Sequence, residues 1–384
     1  SDYSEMLLPA LSKFFHITLY SDGDRLSNPT IAKSFEIRST ELLPKYSMQH
    51  DLCLYQIGNS PHHKNAFDSF RRLPGIVVLH EPFLHHGFHA ISPSRYRREI
   101  FYEIGKASRD VAKRLSKSTV HDKRKFLLSI PLISRLIDTS LGMIVHSETA
   151  QGIIENYITT RANQQRYAAP ITVIPHLMPV MDAFDKSKGR RLFGFPEDAM
   201  IFGVAGTVHP TKEPHLILRS FARVAARLPQ ARLVFLGEMI DDYGLPGLVE
   251  ELGVLDRVEF VGRVEPIEQL HGGIVACDVM LNLRAPTIGE TSGTALRALA
   301  LGQSLIVRDV GWYGELPDDA CLKIGAQAGV ESLSIAMLKL GRSAMMRHNL
   351  GTAARHYVET ECNVEKVAQS YATFLHATHE RLCG

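Results

Sequence analysis

Residues 281–311 read LNLRAPTIGETSGTALRALALGQSLIVRDVG. An apolar run, Val279 to Leu281, gives way to a polar loop. Glu290, Thr291, Ser292 and Gly293 then open a helix with Leu296, Leu299 and Ala300 on one side. Gly302 closes that helix, and Leu305 to Val307 is the next strand. The order is strand, loop, helix, strand, with the polar residues at the helix mouth. Free backbone N–H groups and the positive end of the helix dipole make such a mouth suited to a phosphate. Gly293 would let a ligand approach the backbone closely, and Glu290 could accept hydrogen bonds from sugar hydroxyls. A plainer reading fits the same residues: Thr291 or Ser292 caps the helix and Glu290 supports its first turn.

The flanking sequence repeats the alternation. Upstream, the strands 200–205, 233–236, 258–261 and 278–283 are separated by helices from Lys212, over LPGLVEELGV and over 266–277. Ile217, Phe221, Val224 and Leu228 form a core-facing stripe on the first of these. Strands alternating with helices predict a parallel sheet with crossover helices. Residues 177–198, rich in Pro, Gly and charge, are expected to be an interdomain linker. Before them lie strands at 16–20, 52–57, 76–79, 141–145 and 171–174, most followed by polar loops, where α/β sheets bind ligands. The chain opens on a helix, SDYSEMLLPALSKFF, with Met6, Leu7, Ala10, Leu11 and Phe14 on one face. Residues 328–382 are expected to be helical.

Composition fits two soluble α/β domains. The chain has 384 residues, is 45% hydrophobic, and carries a net charge of +2, which excludes a generally polybasic or polyacidic protein. Five scattered cysteines without a CxxC pair suit free thiols in a reducing compartment. Apolar runs fall short of the ~20 residues that span a bilayer, and no signal peptide is read at the start. Asp22 and Asp24 in SDGD have the spacing of a divalent-cation pair, but Ser, Asp and Gly are turn formers and a turn is the preferred reading. In HEPFLHHGFH, His80 and His85 are five apart rather than i,i+4, and Pro82 opposes a helix, so zinc is not expected. His80 is read instead as a hydrogen-bond donor in a cleft. Residues 92–126 are strongly basic against Glu99, Glu103, Asp110 and Asp122. Such a run is a solvated helix face or a surface for anionic lipid. It lacks the interleaved aromatics of a nucleic-acid site, and no nucleic acid is expected.

The segments YQIGNSPHH, PGIVVLHE, IVHSE and VIPH in the first half, with GTVHPTKE, LVFLGE, RVEFVGRV and CDVMLNLRAPTIGETSG in the second, resemble the GT-B glycosyltransferases of the retaining family 4. That family holds many bacterial cell-surface polysaccharide and lipopolysaccharide enzymes. The resemblance implies two Rossmann-like parallel-sheet domains facing a cleft. An acceptor domain would cover 1–180, a donor domain 195–363, and the helix 364–384 would pack back on the first. It implies a nucleotide sugar as co-substrate, a glycan or lipid-linked acceptor, and no cofactor or metal. The implied location is cytoplasmic, with peripheral contact to the inner membrane through 92–126.

The resemblance also implies roles. Lys212 matches the lysine on the donor diphosphate. Glu290 matches the first glutamate of the family's E-x7-E motif, and His80 a histidine near the transferred sugar; these two are the catalytic candidates. Gly293, with Thr291 and Ser292, falls in the phosphate loop, and Arg263 near the base. Three departures stand out. Arg297 occupies the place of the second glutamate, one residue short of the usual spacing. Thr207 replaces the customary arginine after the glycine, with Arg284 as a substitute cation. The first strand and glycine turn of the family precede the helix on which this sequence opens, so the first sheet is expected to carry an unfilled edge or position and the donor site to weaken. These departures keep open a GT-B-shaped partner protein that binds nucleotide or glycan without transfer, and a sugar-nucleotide epimerase as a third reading.

Overall fold

The structure is a computed structural model describing residues 2–22, 28–109, 126–161, 169–182 and 184–384. It divides into two units. Unit 1 comprises Ser1–Leu177, Ile288–Thr291 and Val364–Gly384; unit 2 comprises Met178–Thr287 and Ser292–Asn363.

Unit 1 carries strands β1 (Thr18–Tyr20), β2 (Glu36–Arg38), β3 (Leu54–Ile57), β4 (Ile76–Leu79), β5 (Gly142–Val145) and β6 (Ile171–Val173). All pairs are parallel, but they form two sheets: β1-β2, and β3-β4-β5-β6. The described strands therefore form no continuous seven-stranded sheet. β4 shows why its sequence, IVVL, has no polar position. Ile76 and Val78 face the helices Asp2–Leu11 and Val364–Cys383, packing with Leu7, Leu11, Val367 and Tyr371. Val77 and Leu79 face Phe67, Phe70, Phe88 and Leu136 on the other side. Side chains alternate along a strand, so a strand covered on both faces must be apolar throughout. Each such buried Val, Ile or Leu contributes roughly 1.5–3 kcal/mol.

Unit 2 carries β7 (Met200–Ala205), β8 (Ala231–Leu236), β9 (Val258–Phe260), β10 (Val279–Asn282), β11 (Leu305–Arg308) and β12 (Leu322–Ile324). The order is β12-β11-β10-β7-β8-β9, all parallel. The winding direction reverses between β7 and β10. That is the topological switch point, where open α/β sheets leave a crevice at the strand ends.

Several expectations need correction. The stretch read as a linker contains a helix, Lys186–Phe193, capped by Asp185 and ended by Gly194 at φ +69°. Its Arg190 is buried and bonds Asp278, Ala276 O and Ala199 O, which fixes the helix to unit 2. Lys212 does not begin a helix. It ends a 3-10 turn, Pro210–Lys212, and the helix Pro214–Ala225 follows Glu213. The opening helix stops at Leu11, and Phe14 is exposed. The basic stretch is described only to Arg109; 110–125 lie outside the described residues. Within Pro93–Ile104, Arg95 turns inward to Asp68 and buried Glu99 pairs with Arg135 at 2.9 Å, while Arg97 and Arg98 are exposed.

Candidate functional site

The switch point of unit 2 gathers the first group. β7 ends at Ala205, and Gly206 turns the chain at φ +85°. Lys212 Nζ donates to Ala205 O at 2.7 Å. A Cβ on Gly206 would lie 2.7 Å from that Nζ and 3.1 Å from Thr294 Cγ2, so glycine is needed for both conformation and close approach. Thr294 lies in the first turn of the helix Gly293–Ala300, and Ser292 caps that helix by accepting from Ala295 N at 3.2 Å. Lysine ammonium and helix N-terminus thus meet at one point, a favourable setting for an anion.

Asn282, the last residue of β10, ties the site together. Its Nδ2 donates to Thr294 Oγ1 at 2.9 Å, and its Oδ1 accepts from Tyr313 Oη at 2.9 Å. Arg284 donates to Thr211 Oγ1 at 2.8 Å. Burial, and then the nearby Arg284 charge, lower the Lys212 ammonium to about 8. Burial, with Arg284 and Lys212, also lowers His209. A polar turn held open between cations is set up to gain from a bound phosphate.

Of the other predicted residues of unit 2, Thr207 and Arg297 adjoin this group and Arg263 lies on the surface. Thr207 is exposed. Arg263 is a surface residue paired with Glu265 at 2.6 Å and Glu238 at 3.8 Å. Arg297 folds back along its own helix to Gly293 O at 3.2 Å. Glu213, not singled out by sequence, holds φ +56° and forms a two-pronged pair with Arg308 at 2.7 and 2.8 Å. Arg308 also caps the carbonyls of Gly325, Ala326 and Ala328.

In unit 1 the second group follows the ends of β4, β5 and β6. His80 Nδ1 and His146 Nε2 are 3.0 Å apart, and His146 Nδ1 donates to Ile174 O at 3.0 Å. The Gln56 amide reaches His80 Nε2 at 2.8 Å. Tyr3 lays its ring against His80, His146 and His176 with centroids 4.9, 5.0 and 4.8 Å away. Burial, then the neighbouring histidines, press His80 well below its ordinary value; burial lowers His146 to about 4. Both rings are neutral at pH 7.

Segment Ile288–Thr291 clusters with unit 1. Gly289, at φ +83°, would place a Cβ 3.0 Å from Pro82 Cγ, two residues beyond His80. Glu290 is buried and accepts from Ile288 N at 2.7 Å. Thr291 Oγ1 is buried with no hydrogen-bond partner among the described residues. His85 belongs elsewhere: Tyr96 and Ile130 O hold its two nitrogens. Asp22 serves a turn, accepting from Thr40 N at 2.7 Å and Asn65 Nδ2 at 3.0 Å, while Asp24 lies outside the described residues.

Sequence reasoning passed over Asn282, Thr294, Tyr313, His146, His176 and Tyr3. One signal was available: His80, His146 and His176 each follow a strand of one parallel sheet, whose ends must lie side by side.

Residues 185–357 match the family described as glycosyl transferases group 1. The D-inositol 3-phosphate glycosyltransferase of Stackebrandtia nassauensis is 34% identical over 137 residues, 33% of this chain and 30% of that protein. The enzyme of that name from Mycolicibacterium smegmatis is 31% identical over 187 residues, 46% and 39% of the two chains. The chain thus spans under half the length of these curated relatives. Anabaena Alr3699/HepE in complex with UDP-glucose superposes with a TM-score of 0.65 at 15% identity, covering 97% of this chain and 96% of that one. WaaG, a glycosyltransferase involved in lipopolysaccharide biosynthesis, gives 0.61 at 16% identity over 97% and 95%. Residues 185–357 are thus similar to the glycosyl transferases group 1, in a chain of the GT-B fold with two Rossmann-like domains.

Proposed function

We propose that this chain is a retaining glycosyltransferase that moves a sugar from a nucleotide-sugar donor to a glycan or lipid-linked acceptor in bacterial surface polysaccharide synthesis. The observation that carries the reading is the convergence of Lys212 Nζ, Gly206 and the first turn of Gly293–Ala300 at the β7/β10 switch point. Sugar transfer from such a donor releases a nucleoside diphosphate, and the charge that develops on it must be met by fixed donors. Lys212 and Arg284 supply cations, and Gly293 and Thr294 supply amides at a helix N-terminus. No metal or cofactor is needed in this scheme. His80 and Glu290 are assigned to sugar hydroxyls, Thr291 and Ser292 to the phosphate turn, and Arg263 to the base side.

Relatives that are D-inositol 3-phosphate glycosyltransferases, a fold neighbour that binds UDP-glucose and another involved in lipopolysaccharide biosynthesis support the reading of sugar transfer from a nucleotide donor. No helix among the described residues is long and apolar enough to cross a membrane. A cytoplasmic protein touching anionic lipid through exposed Arg97, Arg98, Lys106 and Arg109 fits that finding.

The test is a thermal-shift panel of UDP, GDP, ADP and dTDP and their sugar forms, followed by a product assay with the sugar form that binds best. Binding to the native state raises Tm by mass action. A shift with one nucleotide that Lys212→Ala abolishes supports the reading, as does a loss confined to the sugar form in Glu290→Ala. No shift with any nucleotide overturns it; nucleotide binding without transfer would leave a GT-B-shaped binding partner.

A further inference from the structure

We propose that His146 is a positioning residue for His80: it holds His80 as the neutral Nδ1–H tautomer, so that Nε2 is a hydrogen-bond acceptor for a ligand hydroxyl. Ile174 O, His146, His80 and Gln56 form a chain of hydrogen bonds whose direction is fixed at one end. Ile174 O can only accept, so the proton of neutral His146 is on Nδ1. His146 Nε2 is then bare and accepts across 3.0 Å from His80 Nδ1–H. His80 Nε2 is therefore bare in turn. Gln56 Oε1 and that nitrogen, 2.8 Å apart, would be two facing acceptors, so the amide presents its NH2 to the ring instead.

The surroundings favour the neutral chain. His146 is only 4% exposed. Tyr3 and His176 flank the two rings, and His63, whose Nδ1 donates to Gln56 O at 2.9 Å, lies beyond. Tyr3 is itself neutral, its hydroxyl sharing a hydrogen bond with Tyr371. Burial, with the neighbouring imidazoles, disfavours an imidazolium here.

One consequence concerns ligand class. His80 keeps part of its surface exposed, and only a group bearing a hydrogen can replace the Gln56 amide at Nε2. A carbohydrate hydroxyl does so by donating; a carbonyl or phosphate oxygen cannot. The role expected for His80 as a donor is thereby reversed. This part rests on the carbohydrate reading above, whereas the tautomer does not.

The test is a long-range 1H–15N spectrum of the full chain labelled at histidine, at pH 7, with the His80 signals assigned by His80→Asn. The expected result is a protonated Nδ1 and an unprotonated Nε2. In His146→Phe, which cannot accept, the Nε2–H form of His80 gains about fivefold, the equilibrium weight of one hydrogen bond. His146→Gln, whose amide oxygen can accept, restores the wild-type pattern. A wild-type His80 protonated on Nε2, or on both nitrogens, overturns the proposal without need of any variant. An unchanged His80 in a folded His146→Phe overturns the role of His146. If nucleotide binding fails while the tautomer is found, the enzymatic reading falls and the tautomer stands.

Discussion

The hydroxyls of Tyr3 and Tyr371 lie 2.6 Å apart, joining helices at opposite ends of the sequence inside the core of unit 1. Burial raises both phenols above their ordinary value, so each stays neutral. Removing one hydroxyl leaves the other buried and unpaired. Tyr371→Phe and Tyr3→Phe are each expected to destabilise by about 1–2 kcal/mol, with the double variant losing less than the sum. Urea titrations of the four proteins check this; strict additivity would show that the contact is not made in solution.

Lys212 opposes stability to binding. Its folded value of about 8 lies below the ordinary 10.5 of lysine. The unfolded chain therefore holds more protons between pH 8 and 10.5, and stability rises with pH across that window. Below pH 8 the buried charge is a fixed penalty. Lys212→Met should raise the melting temperature of the ligand-free protein at pH 7, by about 1–3 kcal/mol of stability. It should weaken nucleoside diphosphate binding at least about tenfold. In the wild type, calorimetry at pH 8.5 in two buffers should register proton uptake on binding, with affinity falling as pH climbs through about 8.

Gly206→Ala should damage the same point by shape alone. The residue would be strained at φ +85°, and its methyl would displace Lys212 Nζ or Thr294. A loss of about 1–3 kcal/mol in stability is expected, together with a loss of nucleotide binding. Unaltered binding with intact stability would show that the turn is not where the anion sits.

Acid should weaken the fold early. His146 and His85 are both lowered to about 4, chiefly by burial. Their stabilising neutrality is fully present above the unfolded value near 6.5 and is lost as pH falls toward 4. At pH 5 unfolding should take up about two protons from these residues alone, and more with His80. The slope of unfolding free energy between pH 6.5 and 4.5 measures it, and a flat profile would contradict the neutral histidine chain.

Arg308→Lys is expected to destabilise unit 2 by about 2–4 kcal/mol. A lysine cannot hold both oxygens of Glu213 together with three carbonyls. Glu213 is in the left-handed conformation and is the neighbour of Lys212, so nucleotide affinity should fall alongside.

Most of the fold was legible because its strands are covered on both faces. Residues 200–205 and 76–79 were readable to the residue since nothing polar could stand in them. The helix Lys186–Phe193 was not: its charges look like a linker, and only the distant Asp278 and four carbonyls explain why Arg190 is buried. At the site, Lys212 and the 290–293 turn carried local signals. Asn282, Thr294 and Tyr313 did not, because what they do depends on partners 12 and 31 positions away. His146 looked like an ordinary strand end, and its meaning comes from lying beside His80.

The helix Val364–Cys383 closes the core of a unit whose other strands and helices were laid down before residue 178. During synthesis, Ile76, Val78 and Ile144 would leave the ribosome with one of their two covering helices present and the other not yet made. All of unit 2 is translated in between. The second unit can therefore complete its core while the first still offers an open apolar face, so the first half made is the last half finished. For that interval the nascent chain is a natural client for a chaperone that shields apolar surface, and a stall after residue 363 would release a protein with one sound domain and one unsealed one.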